Sequence, residues 1–132
     1  MSQQAILCVD DEMIILMAMV QELKRTFGDR FQYEQETNAE DALLTIDELA
    51  QEGVEVIIIL SDWLMPNMKG DEFIDIVSQR YPHIKMIMIT GHADQQVIEK
   101  VKKNDTVLSV LGKPWRSAEL SGIISEYLLQ RN

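Results

Sequence analysis

The sequence predicts an α/β domain in which a parallel sheet is covered by helices on both faces. Short apolar runs of strand length recur along the chain, and most are nearly continuous and β-branched, which is typical of strands buried on both sides. Segments of helix length separate them, so strand and helix alternate five times. Parallel neighbours need long crossover connections, and this alternation therefore predicts a doubly wound parallel sheet.

The predicted strands are of two kinds. FQYEQE (31–36) alternates polar and apolar residues, as a half-exposed edge strand does. The other four are nearly continuous apolar runs, namely AILCV (5–9), VEVIIIL (54–60), IKMIMIT (84–90) and TVLSVL (106–111).

The predicted helices rest on apolar spacing and on end signals. In the first, one stripe is formed by Leu16, Val20, Leu23 and Phe27, and Gly28 stands where a C-cap belongs. Asn38 can cap the second, and the third stops before Pro82. The fourth, DQQVIEKVKKND, is short and polar, whereas the fifth, SAELSGIISEYLLQ, is amphipathic.

Length and charge exclude several classes of protein. A chain of 132 residues fits a single domain spanning 1–132, and its net charge of −10 disfavours direct binding of nucleic acid. The start of the sequence lacks a basic leader, and its apolar runs are shorter than the roughly 20 residues that span a bilayer, so we expect a cytoplasmic protein without membrane contact. Cys8, the one cysteine, is expected to be an inert core residue.

Chemically active side chains follow the predicted strands. Asp10 and Asp11 follow the first, Asp62 the third, Thr90 the fourth and Lys113 the fifth. The carboxyl ends of such strands share one edge of the sheet, so we expect these groups to meet in one crevice. Glu12 is more simply explained as stabilising the start of the first helix.

A cluster of carboxylates needs a cation, because like charges raise one another's pKa. The oxygen donors favour a hard ion, with Mg²⁺ the best fit and Ca²⁺ the alternative. Lys113 and Thr90 would suit a phosphoryl group beside that ion. The simplest chemistry is attack on phosphorus by Asp62, which lies between the acid pair and Thr90.

Four segments, ILCVDDE, SDWLMPNMKG, MIMITGHAD and LGKPW, resemble the motifs of response regulator receiver domains of two-component signalling, in particular the chemotaxis regulators. The resemblance covers roughly residues 4 to 130. It implies a flavodoxin-like fold with sheet order 2-1-3-4-5 and five helices, and a receiver domain with no output domain in this chain.

The resemblance also implies roles for individual residues. Asp62 would be the phosphoacceptor and a Mg²⁺ ligand, together with Asp11 and the backbone carbonyl of Leu64, while Asp10 would act through a water molecule. Lys113 would contact the phosphoryl group across a cis bond to Pro114. Thr90 would be the switch hydroxyl.

Family members take the phosphoryl group from a histidine kinase, a histidine phosphotransfer protein or a small donor such as acetyl phosphate. They catalyse only their own phosphorylation and dephosphorylation, so we do not expect an enzyme acting on a separate metabolite. A homodimer through the fourth helix, fifth strand and fifth helix is also implied. Ile14, Ile15 and Ala18 are more apolar than a solvated helix face needs, and we expect them to dock the phosphodonor.

The sequence departs from the family pattern at several positions. Val110 stands where receivers usually carry Tyr or Phe, which puts an aromatic switch in doubt. Lys69 replaces the aspartate that commonly caps the third helix. Leu64 and His92 occupy the positions that tune dephosphorylation, and because Leu64 cannot orient water we expect slow hydrolysis.

Two other functions stay open. One is a phosphate-independent interaction module that keeps the acids as a relic. The other is an aspartyl phosphohydrolase of the haloacid dehalogenase type, although that family carries Asp-x-Asp after its first strand and CVDDEM lacks it.

Overall fold

The computed structural model describes residues 3–91 and 95–131. His92 and the side chain of Val97 lie outside the described part. The strands are β1 (Gln3–Val9), β2 (Gln32–Glu36), β3 (Val54–Asp62), β4 (Lys85–Thr90) and β5 (Val107–Gly112). The helices are α1 (Met13–Phe27), α2 (Ala39–Gln51), α3 (Gly70–Arg80), α4 (Gln95–Lys102) and α5 (Ser117–Arg131), and a short 3-10 turn follows α1 at Gly28–Arg30.

The five strands form one sheet in the order β2-β1-β3-β4-β5, and every neighbouring pair is parallel. The predicted fold class and strand order are confirmed. β3 is central and extends two residues past its apolar run, because Ser61 and Asp62 continue the pairing opposite Met88 and Ile89. The last residue of the central strand is therefore an aspartate.

The sheet separates two hydrophobic cores. Leu7 and Val9 point to the core beneath α2, α3 and α4, whereas Ile6 and Cys8 point to the core beneath α1 and α5. Both sets are fully buried, which explains why the central strands read as continuous apolar runs. A rigid, doubly covered sheet holds the strand ends, and the side chains that follow them, in fixed relative positions.

Cys8 behaves as the sequence predicts for a core residue. It is fully buried, and burial raises the pKa of its thiol to about 12. The reactive thiolate is therefore scarce at neutral pH, which leaves Cys8 with a packing role.

Glu12 lies at the start of α1, as the sequence predicts. Glu12 occupies the N-cap position, but among the described residues its carboxylate makes no capping hydrogen bond. Instead, the Oδ1 atom of Asp10 accepts a hydrogen bond from the Glu12 backbone N–H at 2.8 Å. At the start of α2 the expectation holds, since Asn38 accepts from the backbone N–H of Asp41.

Within the described residues, no helix combines the length and the apolar character that crossing a membrane would require.

Candidate functional site

The carboxyl edge of the sheet carries the side chains that the sequence singled out. Asp10 follows β1, Asp62 ends β3, Thr90 ends β4 and Lys113 follows β5. The strand register pairs Asp62 with Ile89 and Thr90 with Gly112, so the strands end at nearly the same level. These groups therefore lie around one crevice.

Three carboxylates form the acidic side of this crevice. One oxygen from each of Asp10, Asp11 and Asp62 lies within 4.8 Å of the other two. Asp10 and Asp62 are buried, while Asp11 is exposed. Two oxygens bound directly to one Mg²⁺ cannot be more than about 4.2 Å apart, so the three acids need only a small adjustment or one bridging water to share the ion. The donor set fits Mg²⁺.

Lys113 forms the basic side of the crevice. Its Nζ lies 2.8 Å from Asp10 Oδ2 and 3.3 Å from Asp62 Oδ2. Because Asp10 Oδ1 already accepts from the Glu12 backbone, both oxygens of this fully buried carboxylate are hydrogen-bonded. The sequence placed Asp10 in the crevice without indicating that Lys113 pairs with it from across the sheet.

The charges of the site shift two pKa values. Burial raises the pKa of Asp62, the negative charge of Asp10 raises it further, and Lys113 opposes both. Burial pulls the pKa of Lys113 down, but its hydrogen bonds and ion pairs with Asp10 and Asp62 outweigh this, so its pKa lies above the ordinary value. Lys113 is therefore a cation at neutral pH, whereas the charge on Asp62 is partly disfavoured.

Contacts of Trp63 and Gly70 fix the conformation of the loop after β3. The Trp63 backbone N–H donates to the Ile89 carbonyl at 2.9 Å, which continues the sheet beyond Asp62. The Trp63 ring covers Gly70 so closely that a Cβ there would lie 2.5 Å from the ring. Glycine at position 70 is thus required by the indole, a reason that the motif alone does not reveal.

Leu64, two residues after Asp62, lies at the mouth of the crevice. Its backbone N–H makes a long hydrogen bond of 3.4 Å to Asp62 Oδ1. Its side chain is 61 % exposed. It therefore presents an apolar surface to solvent beside the carboxylate.

Thr90 and Val110 lie on neighbouring strands. Thr90 is buried at the end of β4, and its backbone carbonyl accepts from the Lys113 N–H at 2.9 Å. Val110 is half-buried opposite Met88 and packs against the core beneath α4.

Two of the three residues expected to dock a partner line one groove, and the third lies beside them on α1. Ile15 and Ala18 line a groove of about 610 Å³ between α1 and the loop after β5. In the described chain Ile14 lies outside this lining and is 80 % exposed. The other lining residues are Gln21, Glu22, Arg25, Lys113, Pro114 and Trp115. The groove thus opens beside Lys113.

Comparison with known proteins agrees with this geometry. The family model of the response regulator receiver domain matches residues 6–125. The chain belongs to this family. It is therefore a receiver domain of two-component systems, as the resemblance predicted.

Curated relatives place the same domain in longer proteins. The chain is 32 % identical over 113 residues to the hydrogenase transcriptional regulatory protein HoxA of Cupriavidus necator, which covers 86 % of this chain and 22 % of that protein. It is 28 % identical over 123 residues to the sensor kinase CckA of Brucella abortus, covering 93 % of this chain and 12 % of that protein. The receiver domain thus spans less than a quarter of either relative.

Solved receiver domains have the same fold. A signal receiver domain of an HD domain-containing protein from Pseudomonas fluorescens Pf-5 is 26 % identical with a TM-score of 0.81, covering 97 % of this chain and 96 % of that one. A CheY-like receiver domain protein from Methanospirillum hungatei JF-1 is 27 % identical with a TM-score of 0.80, covering 98 % and 96 %. A CheX–CheY–BeF3–Mg complex from Borrelia burgdorferi, 17 % identical with a TM-score of 0.80 over 94 % and 88 %, supports the fold alone.

The acidic crevice predicts a gain in stability when Asp62 is neutralised. The raised pKa means that the ionised carboxylate destabilises the folded receiver at neutral pH, so Asp62→Asn should raise the free energy of unfolding at pH 7 by on the order of 1 kcal/mol. The gain should shrink as the pH falls toward 3.8, where the unfolded chain also takes up the proton. Urea unfolding of both proteins in metal-free buffer at several pH values measures this. A variant less stable than wild type at pH 7 would contradict it.

Proposed function

We propose that this receiver domain is a phosphorylation-controlled signalling switch that accepts a phosphoryl group on Asp62 in the presence of Mg²⁺. The observation that carries the proposal is the position of Asp62. It ends the central strand with one carboxylate oxygen within 4.8 Å of oxygens of Asp10 and Asp11, and its Oδ2 lies 3.3 Å from the Lys113 ammonium. A nucleophile, a cation site and a fixed positive charge thus meet at one point.

The transfer itself is a single displacement at phosphorus. An oxygen of the Asp62 carboxylate forms a bond to phosphorus while the bond to the leaving group breaks. The bond that breaks is P–N when the donor is a phosphohistidine, and P–O when it is acetyl phosphate, which leaves as acetate. The product is an acyl phosphate on Asp62.

The residues around Asp62 would stabilise the phosphoryl group electrostatically. Lys113 would exchange its contact with Asp62 for a phosphoryl oxygen, because the added group carries more negative charge than the carboxylate alone. The buried hydroxyl of Thr90 would follow the phosphoryl group inward as the switch hydroxyl.

The cation would be held by Asp11, Asp62 and the backbone carbonyl of Leu64, with Asp10 acting through water. The exposure of Asp11 and the full burial of Asp10 against Lys113 favour this division. When bound, Mg²⁺ supplies the positive charge that neutralises the phosphoryl oxygens. The structural neighbour from Borrelia burgdorferi named above is a complex of CheX and CheY that contains BeF3 and Mg.

The phosphodonor would be a histidine kinase or a histidine phosphotransfer protein. Its histidine-bearing helix would dock on α1, in the groove of Ile15 and Ala18, with Ile14 at the edge of the contact. Output would pass through the surface of α4, β5 and α5, which could also form a homodimer. Because its net charge is −10, the domain would act through proteins rather than by binding nucleic acid. It would act in the cytoplasm, and it would not turn over a separate metabolite.

Mass spectrometry after treatment with acetyl phosphate and Mg²⁺ tests the central proposal. Wild type should gain the mass of one phosphoryl group, and Asp62→Asn should gain none, because the amide is not a nucleophile. Wild type that gains no mass would favour a phosphate-independent interaction module. Sustained hydrolysis of a phosphate ester would favour a phosphohydrolase.

The exposed side chain of Leu64 predicts a slowly hydrolysed phosphoryl group. An aliphatic residue cannot orient an attacking water, whereas an amide can, so Leu64→Asn should shorten the lifetime of phosphorylated Asp62 by roughly tenfold. This is less than the roughly 100-fold or more that a positioned acid–base group supplies, because the amide orients the water without taking its proton. The decay of the phosphorylated mass after removal of the donor measures this. Leu64→Met is the matched control and should behave like wild type; a wild-type lifetime of only seconds would contradict the expectation.

A charged side chain introduced into the groove should slow phosphorylation by protein donors but not by acetyl phosphate. Ile15→Asp should slow transfer from a purified histidine kinase or phosphotransfer protein by roughly tenfold or more, because the new carboxylate would be desolvated in the interface. Phosphorylation by acetyl phosphate should be unchanged. Leu129→Asp, an equally charged change of an exposed apolar residue on α5, is the control. Equal loss with both donors would show that Ile15 supports the site rather than docking.

A further inference from the structure

The loop that carries Lys113 is held from α1 by one carboxylate. Only residues 113–116 connect β5 to α5. The Nε1–H of Trp115 donates to Oε2 of Glu22, and the hydroxyl of Ser117 donates to Oε1 of the same side chain. Glu22 thus joins the loop and the start of α5 to the middle of α1.

The hydrogen bonds of Glu22 to the loop, called the anchor below, matter because Lys113 must reach across the sheet. Lys113 follows β5 at one edge of the sheet, whereas its partner Asp10 follows β1, three strands away in the order β1-β3-β4-β5. Three strand spacings amount to roughly 14 Å, which is longer than a lysine side chain, so the loop must lean inward over the sheet. A small outward shift of the loop would therefore withdraw the ammonium from the crevice.

Besides the packing of Trp115 against the core beneath α1 and α5, hydrogen bonds at both ends of the loop oppose such a shift. The Lys113 backbone N–H donates to the Thr90 carbonyl at 2.9 Å, which fixes only the first residue of the loop. The far end of the loop is fixed by the two hydrogen bonds to Glu22, and bonds to an ionised carboxylate are roughly twice as strong as neutral ones. Glu22 is half-buried and lines the same groove as Ile15. Its bond to Trp115 is partly buried, whereas its bond to Ser117 is exposed, so the bond to Trp115 is the better protected of the two.

We propose that Glu22 is a positioning residue for phosphorylation, which acts through Trp115 and Ser117 to hold the β5–α5 loop and hence the Lys113 ammonium over Asp62. The proposal rests on the phosphorylation of Asp62 proposed above. The sequence did not indicate a role for Glu22, because its two hydrogen-bond donors are far away along the chain. Trp115 is 93 residues from Glu22 and Ser117 is 95 residues from it.

The test compares Glu22→Ala, Glu22→Gln and the matched control Gln21→Ala. Gln21 lines the same groove, and within the described chain no hydrogen bond links it to the loop. Each is made in wild type for rates and in a Trp63→Phe background for fluorescence, where Trp115 is the one remaining tryptophan. The measurements are the acetyl phosphate rate constant, Mg²⁺ affinity by NMR titration, and acrylamide quenching of Trp115.

Glu22→Ala should expose Trp115 to acrylamide and slow phosphorylation by roughly fivefold to tenfold, the scale expected when a misplaced group costs transition-state contacts. Mg²⁺ affinity should be unchanged or higher, because a withdrawn Lys113 competes less for Asp10 and Asp62. Glu22→Gln should recover most of the rate, since its amide oxygen can still accept from Trp115. Gln21→Ala should match wild type in all three measurements.

Several results would overturn the proposal. They are a wild-type rate for Glu22→Ala, an equal loss in Gln21→Ala, or a loss of rate accompanied by a loss of Mg²⁺ affinity, which would indicate damage to the acidic cluster. If Glu22→Ala does not fold, Ser117→Ala removes one of the two bonds and should give a smaller change in the same direction. If wild type takes no phosphoryl group, the proposed function is wrong. Acrylamide quenching of Trp115 that is the same in Glu22→Ala as in wild type would then refute the anchor independently.

Discussion

The arrangement around Asp10 is the constraint on which the rest of the site depends. A fully buried carboxylate is costly unless each oxygen finds a partner, and here one oxygen accepts from the Glu12 backbone while the other pairs with Lys113. The first contact fixes the start of α1. The second draws the ammonium across the crevice to within 3.3 Å of Asp62. One side chain thereby ties the first helix, the last loop and the central strand to the same point.

The strand order explains why this point lies where it does. Because β1 and β3 are neighbours, Asp10 and Asp62 end adjacent strands and repel one another at close range. Lys113, arriving from the edge strand, can relieve that repulsion only if its loop is held over the sheet. Lys113 therefore belongs both to the acidic cluster and to the groove between α1 and the loop, so the two sites share one side chain.

The parallel sheet and the residues at its carboxyl edge could be predicted from the sequence, for a definite physical reason. Parallel strands buried on both faces must read as apolar runs, and their carboxyl ends must share one edge, so Asp62, Thr90 and Lys113 could be brought together without coordinates. Pairwise contacts could not be predicted in this way. The bond of Lys113 to Asp10 spans 103 residues and depends on how the loop leans, and the requirement for Gly70 depends on the rotamer of Trp63. Ile14 and Ile15 are neighbours in sequence, yet the turn of the helix puts only Ile15 in the groove lining among the described residues.

The side chain of Val110 limits the ways in which phosphorylation of Asp62 could change the surface of α4, β5 and α5. A β-branched side chain has few χ1 rotamers and no ring to rotate inward, and Val110 is already packed against the core beneath α4. The backbone of the strand ends offers a more direct connection. The Thr90 carbonyl accepts from the Lys113 N–H at 2.9 Å, so a displacement of the end of β4 also displaces the loop that leads into α5. In this receiver the end of β4 and the loop into α5 are thus joined by a main-chain hydrogen bond, while the position of the usual aromatic residue carries a packed valine.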